Sequence, residues 1–254
     1  MQVGLIGSGN MASALARGWG DPVLCTDALF GRAEDLAAEL GGEAIASNRE
    51  LAQRADLVVL CHKPDQLAEV AAEVAGAKPE QPIVSILGGV PLAKLQETYP
   101  GQPVFRLMPN VAVEVRRGVI CLAHDPAIDT QLADRVLTLL ERVATVVRLD
   151  DRLIDAATAA MGVGPAYVAL LVEAQVDAVV RLGLPAPVAA TLVTETMAGT
   201  VELLAARDND TLAVRRAVTS PGGSTARGLA ALDAGGVRTA FQEAADAVVH
   251  GGRR

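Results

Sequence analysis

The 254-residue chain is 51% apolar and 20% charged, which supplies a core and excludes a disordered segment. Its formal net charge of −8 excludes a general nucleic-acid binder, which needs a basic face to neutralise phosphates. Aromatic residues make up only 2%, so the core is packed from Ala, Val and Leu, as suits helices against a sheet.

Short apolar runs rich in Val, Ile and Leu occupy residues 3–6, 23–26, 56–61, 83–87, 104–108, 119–123 and 145–149, with a further one at 44–46. Between the early runs, residues 11–19, 33–40, 49–54 and 67–74 carry apolar side chains at helical spacing. This alternation predicts βαβ units and a mostly parallel sheet covered on both faces. From Asp150 onward the strand signal ends. Helices are predicted over 151–158, 166–182, 187–206, 211–218, 225–234 and 237–249, with Pro165, Pro187 and Pro221 in first turns. The fold class is therefore α/β, a mostly parallel sheet in residues 1–150 followed by an all-α half in residues 151–254.

Residues 166–172 and 189–193 contain hardly a polar group. A helix apolar all round must be buried all round, and so small a helical half has too little interior for it. A homodimer interlocked through this half is expected. The charge-free stretch between Asp155 and Glu173 is interrupted by Gly162, Gly164 and Pro165, so a buried helix is expected and a membrane span is not. Cys25, Cys61 and Cys121 each sit in an apolar run and read as buried thiols in a reducing compartment. His62, His124 and His250 are scattered, and no metal-ligand spacing is present. With no export signal at the N-terminus, a cytoplasmic location is expected.

Gly7-Ser8-Gly9-Asn10-Met11-Ala12 follows the first predicted strand and opens a helix. Glycines there allow a tight turn and close approach of a pyrophosphate, while Ala12 keeps helix and strand together. The pattern reads as a dinucleotide fingerprint, with a structural tight turn as the alternative. Asp27 ends the second strand and either accepts hydrogen bonds from a ribose 2′-OH or caps a turn. Arg32 is placed to meet a phosphate instead, so NAD and NADP both stay open. Cys61-His62-Lys63-Pro64 closes another strand at the carboxyl edge, as cofactor contacts or as ordinary loop residues.

In the second half, Ser220-Pro221-Gly222-Gly223-Ser224-Thr225 precedes a helix. Successive main-chain N–H groups around the Gly-Gly, with hydroxyls on Ser220, Ser224 and Thr225, form a cradle for a carboxylate or else a helix cap. Met161-Gly162-Val163-Gly164-Pro165-Ala166-Tyr167 is either a packing kink or the lining of a cleft between subunits.

Ile6-Gly7-Ser8-Gly9-Asn10-Met11-Ala12, Lys63-Pro64, Arg106-Leu107-Met108-Pro109-Asn110, Gly164-Pro165-Ala166-Tyr167, Gly183-Leu184-Pro185 and Ser220-Pro221-Gly222-Gly223-Ser224-Thr225 run in order along the chain. In this combination the sequence resembles the pyrroline-5-carboxylate reductase family. The resemblance implies a nicotinamide-binding Rossmann domain and a helical domain exchanged between subunits, often in a ring of dimers. It implies that Ile6, Gly7, Ser8, Gly9, Asn10, Met11, Asn48, Cys61, His62, Lys63 and Pro64 meet NADP or NAD, with Asp27 added from its position. It further implies that Gly222, Gly223, Ser224 and Thr225 hold the carboxylate of an imino acid, the Thr225 hydroxyl lying near the ring nitrogen. The chain departs from the family pattern at Met161 and Val163, at Val111-Ala112, and at Arg216.

The expected chemistry is hydride transfer to the C=N bond of a cyclic imino acid, giving L-proline. A protonated imine is already electrophilic, so alignment and carboxylate binding suffice without a His–acid pair. A lysine-dependent hydroxyacid dehydrogenase is disfavoured, because no lysine follows Lys94. A related imine reductase acting on a different cyclic or linear imine, or a non-catalytic nucleotide-binding homologue, are the alternatives.

Overall fold

The computed structural model describes residues 1–74 and 76–251. Eight strands form one sheet: β1 (Val3–Ile6), β2 (Leu24–Thr26), β3 (Glu43–Ala44), β4 (Leu57–Leu60), β5 (Ile83–Ser85), β6 (Val104–Pro109), β7 (Gly118–Ala123) and β8 (Ala144–Leu149). Their order is β3-β2-β1-β4-β5-β6-β7-β8. Pairing is parallel except between β6 and β7, so the last two strands run opposite to the rest.

The reversal follows from chain length. Only a short 3-10 turn, Val111–Val115, lies between β6 and β7, whereas a parallel crossover needs a dozen or more residues. The other strands are joined by longer connections that carry helices: α1 (Asn10–Trp19), α2 (Phe30–Leu40), α3 (Asn48–Arg54), α4 (Leu67–Val74), α5 (Leu92–Thr98) and α6 (Thr130–Glu141). The last two lie outside the helices read from sequence. Asp129 caps α6 by accepting the Leu132 N–H at 3.0 Å, and Val136, Leu137, Leu139 and Leu140 are its buried side.

Between its edges the sheet is buried on both faces, which is why β1, β2 and β4 to β7 are largely apolar runs, while the edge strands β3 and β8 stay partly exposed. In β4, Leu57 and Val59 enter one core layer while Val58 and Leu60 enter the other. Each such leucine contributes roughly 1.5–3 kcal/mol by leaving water. Trp19, buried at the end of α1, donates its indole N–H to the Leu139 carbonyl at 3.1 Å and so ties α1 to α6.

The chain divides into two compact units, Met1–Pro165 and Ala166–Arg254. The first runs past Asp150 because α7 (Ile154–Ala157) places the fully buried Ile154 in a core layer of the sheet unit. The helix expected over 151–158 is a 3-10 turn (Asp151–Leu153), then α7, then a π turn (Thr158–Gly162) closed by the Val163 N–H on the Thr158 carbonyl. The buried arginine Arg106 anchors this segment, donating to Asp151 at 2.7 Å and to Asp155 at 3.3 Å.

Beyond it lie α8 (Gly164–Val180), α9 (Ala186–Ala205), α10 (Thr211–Ala217), α11 (Ser224–Ala234) and α12 (Val237–His250). Tyr167 and Phe241 meet edge to face at 6.3 Å, joining α8 and α12. Pro221 stands in the turn before α11, not in a first turn, because Gly222 and Gly223 postpone the helix to Ser224.

The helix expected to be buried between Asp155 and Glu173 is not buried within the chain. No residue of α8 is buried there, and Leu170 is 62% exposed. Two stretches, Asp151–Val180 and Ala186–Ala205, are long and apolar enough to cross a membrane by length and composition alone. One chain by itself leaves these faces open, and patches of this kind mark association surfaces.

Candidate active site

The nucleotide fingerprint lies where β1 meets α1. Gly7 has φ of +98°, a region closed to other residues, and donates its N–H to Thr26 at 2.9 Å. A Cβ on Gly7 would lie 2.8 Å from the Cys61 carbonyl and 2.9 Å from the His62 nitrogen. The turn is therefore pressed against the carboxyl end of β4. Gly9 has the opposite surroundings, with nothing within 4 Å of its Cβ position. The first turn of α1 has neither a side-chain cap nor an acidic residue. Free N–H groups at a positive helix end, facing open space across a glycine, fit the pyrophosphate of a dinucleotide.

Asp27 stands directly after β2. Its carboxylate accepts the Ser8 N–H at 2.7 Å and the Leu29 N–H at 2.8 Å, which fixes it beside the glycine turn. Ser8 is buried and donates its hydroxyl to Thr26, so with its N–H on Asp27 it shapes the turn and offers no free donor. The Ile6 side chain lies in the core, which leaves its main chain alone for any ligand. Asn10 is exposed and Met11 half-buried at the start of α1. Asn48 opens α3, accepting the Thr26 hydroxyl at 2.6 Å and donating to Glu73 at 2.7 Å. Glu73 escaped the sequence reading, since nothing in its local pattern on α4 points to a partner 25 residues earlier.

Cys61, His62, Lys63 and Pro64 form the loop after β4, closed by a 3-10 turn (Pro64–Gln66). His62 Nδ1 lies 2.8 Å from the Lys63 carbonyl, so that nitrogen carries the proton and donates. Nε2 is buried without a partner among the described residues, and burial lowers the affinity of the ring for a second proton. Lys63 and Pro64 are exposed. The same desolvation pushes the Cys25, Cys61 and Cys121 thiols up, which keeps them unreactive.

In the second unit, the Gly223 N–H bonds Ser220 at 3.0 Å and Gly222 takes φ of +69°. The bend delivers α11 with Gly223 at its cap and, as in α1, no side-chain cap and no acid in the first turn. Ser220, Gly222 and Ser224 are exposed, while Gly223 and Thr225 are half-buried. Arg227, missed in the sequence reading, donates to the Gly222 carbonyl at 2.6 Å. A cation five residues beyond a glycine pair was the available signal. It braces the bend and adds positive charge to an end already able to hold a carboxylate.

Met161 is held from the sheet side within the first unit. Asn110, after β6, donates to the Met161 carbonyl at 3.1 Å and accepts the Val119 N–H at 3.2 Å. Among the described residues no group of three or more His, Cys, Asp or Glu could hold a metal ion.

An uncapped helix after a glycine turn, with an acid at the end of the neighbouring strand, defines a Rossmann-type dinucleotide-binding unit. Residues 2–89 match the family model described as NADP oxidoreductase coenzyme F420-dependent, and residues 151–254 match the one for pyrroline-5-carboxylate reductase dimerisation. The Synechocystis pyrroline-5-carboxylate reductase is 33% identical over 96% of this chain and 94% of its own length. That of Pseudomonas aeruginosa is 36% identical over 97% and 93%. The crystal structure of the Plasmodium falciparum pyrroline carboxylate reductase with NADP bound superposes with a TM-score of 0.88 at 26% identity, covering 98% of this chain and 95% of that one. This chain belongs to the pyrroline-5-carboxylate reductase family, and its helical half is that family's dimerisation domain.

Proposed function

We propose that the protein reduces 1-pyrroline-5-carboxylate to L-proline with NADH or NADPH, residues 1–150 holding the coenzyme and residues 151–254 the substrate and the dimer. The observation that supports this reading is the bend before α11, where Gly222 and Gly223 lead into a helix start with no side-chain cap and Arg227 donates to the Gly222 carbonyl.

When bound, the reduced nicotinamide supplies the hydride. The chain's own residues bind and orient. Gly7 and Ser8 shape the turn, and the main-chain N–H groups of Gly9, Asn10 and Met11 at the α1 N-terminus hold the pyrophosphate; Asp27 and Asn48 meet the adenosine end. Cys61 to Pro64 border the coenzyme from the β4 side. The main-chain N–H groups of Gly222, Ser224 and Thr225, with the Ser220 and Ser224 hydroxyls, grip the substrate carboxylate, Gly223 closing the bend on Ser220. Thr225 accepts a hydrogen bond from the N–H of the protonated imine and keeps its carbon aligned. Addition of hydride to that cation yields the neutral amine, so no further protein acid is required.

A second copy of the chain covers the apolar faces of α8 and α9, in place of a membrane, and dimers assemble further into a ring in the cytoplasm. Replacing Thr225→Ala should lower kcat about 10- to 100-fold, the worth of one hydrogen bond to a charged group. Coenzyme affinity should stay within about twofold, because Thr225 meets only the imine. Equal turnover of 1-pyrroline-5-carboxylate by wild type and variant would remove Thr225 from the mechanism. Faster turnover of a six-membered imino acid would move the substrate assignment to another imine.

A further inference from the structure

We propose that this chain selects NADH over NADPH, and that Asp27 makes the choice; this rests on the nucleotide reading above and deepens it. An acid at the end of the second strand accepts hydrogen bonds from ribose hydroxyls and repels a 2′-phosphate. What the structure adds is that this carboxylate is fixed. One oxygen accepts the Ser8 N–H at 2.7 Å, inside the Gly7–Gly9 turn itself, and the other accepts the Leu29 N–H at 2.8 Å. To make room for a phosphate, Asp27 would break two charge-assisted hydrogen bonds.

The neighbouring groups favour the same coenzyme. Asn48, hydrogen-bonded to the β2 residue Thr26, is a neutral donor at this end, and one of its amide N–H groups bonds the Glu73 carboxylate at 2.7 Å. Its carbonyl accepts from Thr26, so the amide is fixed from both ends and keeps a single N–H to offer a ligand beside the Glu73 carboxylate. A phosphate at this end would meet Asp27 directly and Glu73 behind Asn48. The residues after Asp27 are Ala28, Leu29 and Phe30, with Leu29 60% and Phe30 41% exposed; they offer apolar surface and no side-chain donor.

Two exposed cations stand against this reading, Arg32 in the first turn of α2 and Arg49 in the first turn of α3. Neither forms an ion pair among the described residues. Both are long, solvated side chains whose attraction is screened and must repay lost rotamer freedom. The Asp27 carboxylate is held in place before any ligand arrives.

The test is direct binding of NADH and NADPH to the full-length protein, by titration calorimetry and by nicotinamide fluorescence, with no substrate present. Wild type should bind NADH roughly tenfold or more tightly than NADPH, a difference of about 1.4 kcal/mol, and raised salt should narrow the ratio. Asp27→Asn, which removes the charge and nearly keeps the shape, should reduce the ratio roughly tenfold, mainly by strengthening NADPH. Equal or tighter binding of NADPH by wild type overturns the proposal whether or not the variant folds. So does an unchanged ratio in Asp27→Asn, or a selective loss of NADPH in Arg32→Ala or Arg49→Ala with NADH unaffected in wild-type preference order. Failure to bind either coenzyme would instead overturn the nucleotide site itself, and the preference with it.

Discussion

The two glycines of the nucleotide turn should fail in different ways when given a methyl group. At Gly7, alanine must adopt φ of +98°, which costs about 1–3 kcal/mol. Its Cβ would also press on Cys61 and His62 main-chain atoms at 2.8–2.9 Å, and the Cys61 N–H is bonded to Ile6 at 2.8 Å, so those atoms cannot withdraw freely. Such overpacking costs about another 1–3 kcal/mol. At Gly9 the backbone, with φ of −75° and ψ of −177°, already suits alanine, and the Cβ meets nothing. Gly7→Ala should therefore lower the thermal midpoint of the coenzyme-free protein by roughly 5 °C or more. Gly9→Ala should melt within about 1–2 °C of wild type, yet bind NADH or NADPH at least about tenfold more weakly, because its methyl fills the space the pyrophosphate needs. Differential scanning calorimetry without coenzyme and titration calorimetry with it separate the two effects. A Gly9→Ala protein with undiminished affinity would refute the placement of the ligand over this turn. A Gly7→Ala protein with wild-type stability would refute the packing argument.

Three further outcomes follow from the geometry. Arg106→Met should destabilise the first unit by about 3 kcal/mol in urea unfolding, since Asp151 and Asp155 lose a buried partner; Asp155 is largely exposed, which keeps the loss at the low end. His62 takes up a proton less readily in the fold than in the unfolded chain, where the value is about 6.5. Its contribution to stability is fully present above about pH 6.5 and is lost progressively as pH falls below that, down through the lower value it has in the fold, so wild type should lose more stability between pH 7.5 and 5.5 than His62→Gln. Similar losses in both would exclude His62 as the source. Leu170→Glu places a charge on the open face of α8, and sedimentation velocity should find monomer where wild type gives dimer or larger; an unchanged assembly would place the interface elsewhere.

Most strand positions were legible because a sheet covered on both faces demands apolar runs, and every strand but β3 coincides with one; β3 (Glu43–Ala44), at the edge, shares only Ala44 with the run at 44–46. The direction of β7 and β8 was also latent in the chain, in the few residues that separate β6 from β7. The dimerisation-family match begins at residue 151, while the compact first unit continues to Pro165. An apolar residue such as Ile154 reads the same whether its helix joins the sheet or its own helical neighbours, and only packing assigns it to the sheet. The apolar character of α8 and α9 announced that something must cover them, although in the chain alone most of that surface stays open.

At the site, sequence by itself determined what depends on consecutive residues: the glycine turn before α1, the acid after β2, and the Pro-Gly-Gly bend before α11. Turn geometry and helix ends are local, so neighbouring residues suffice to specify them. Tertiary structure decided the partnerships. It set Asp27 against the Ser8 N–H, Asn48 against Glu73, and Arg106 against Asp151 and Asp155. These pairs lie from 19 to 49 positions apart in the chain. A hydrogen bond depends on distance and angle in space, and no periodicity in the sequence encodes which of many acids or amides the fold will bring within 3 Å.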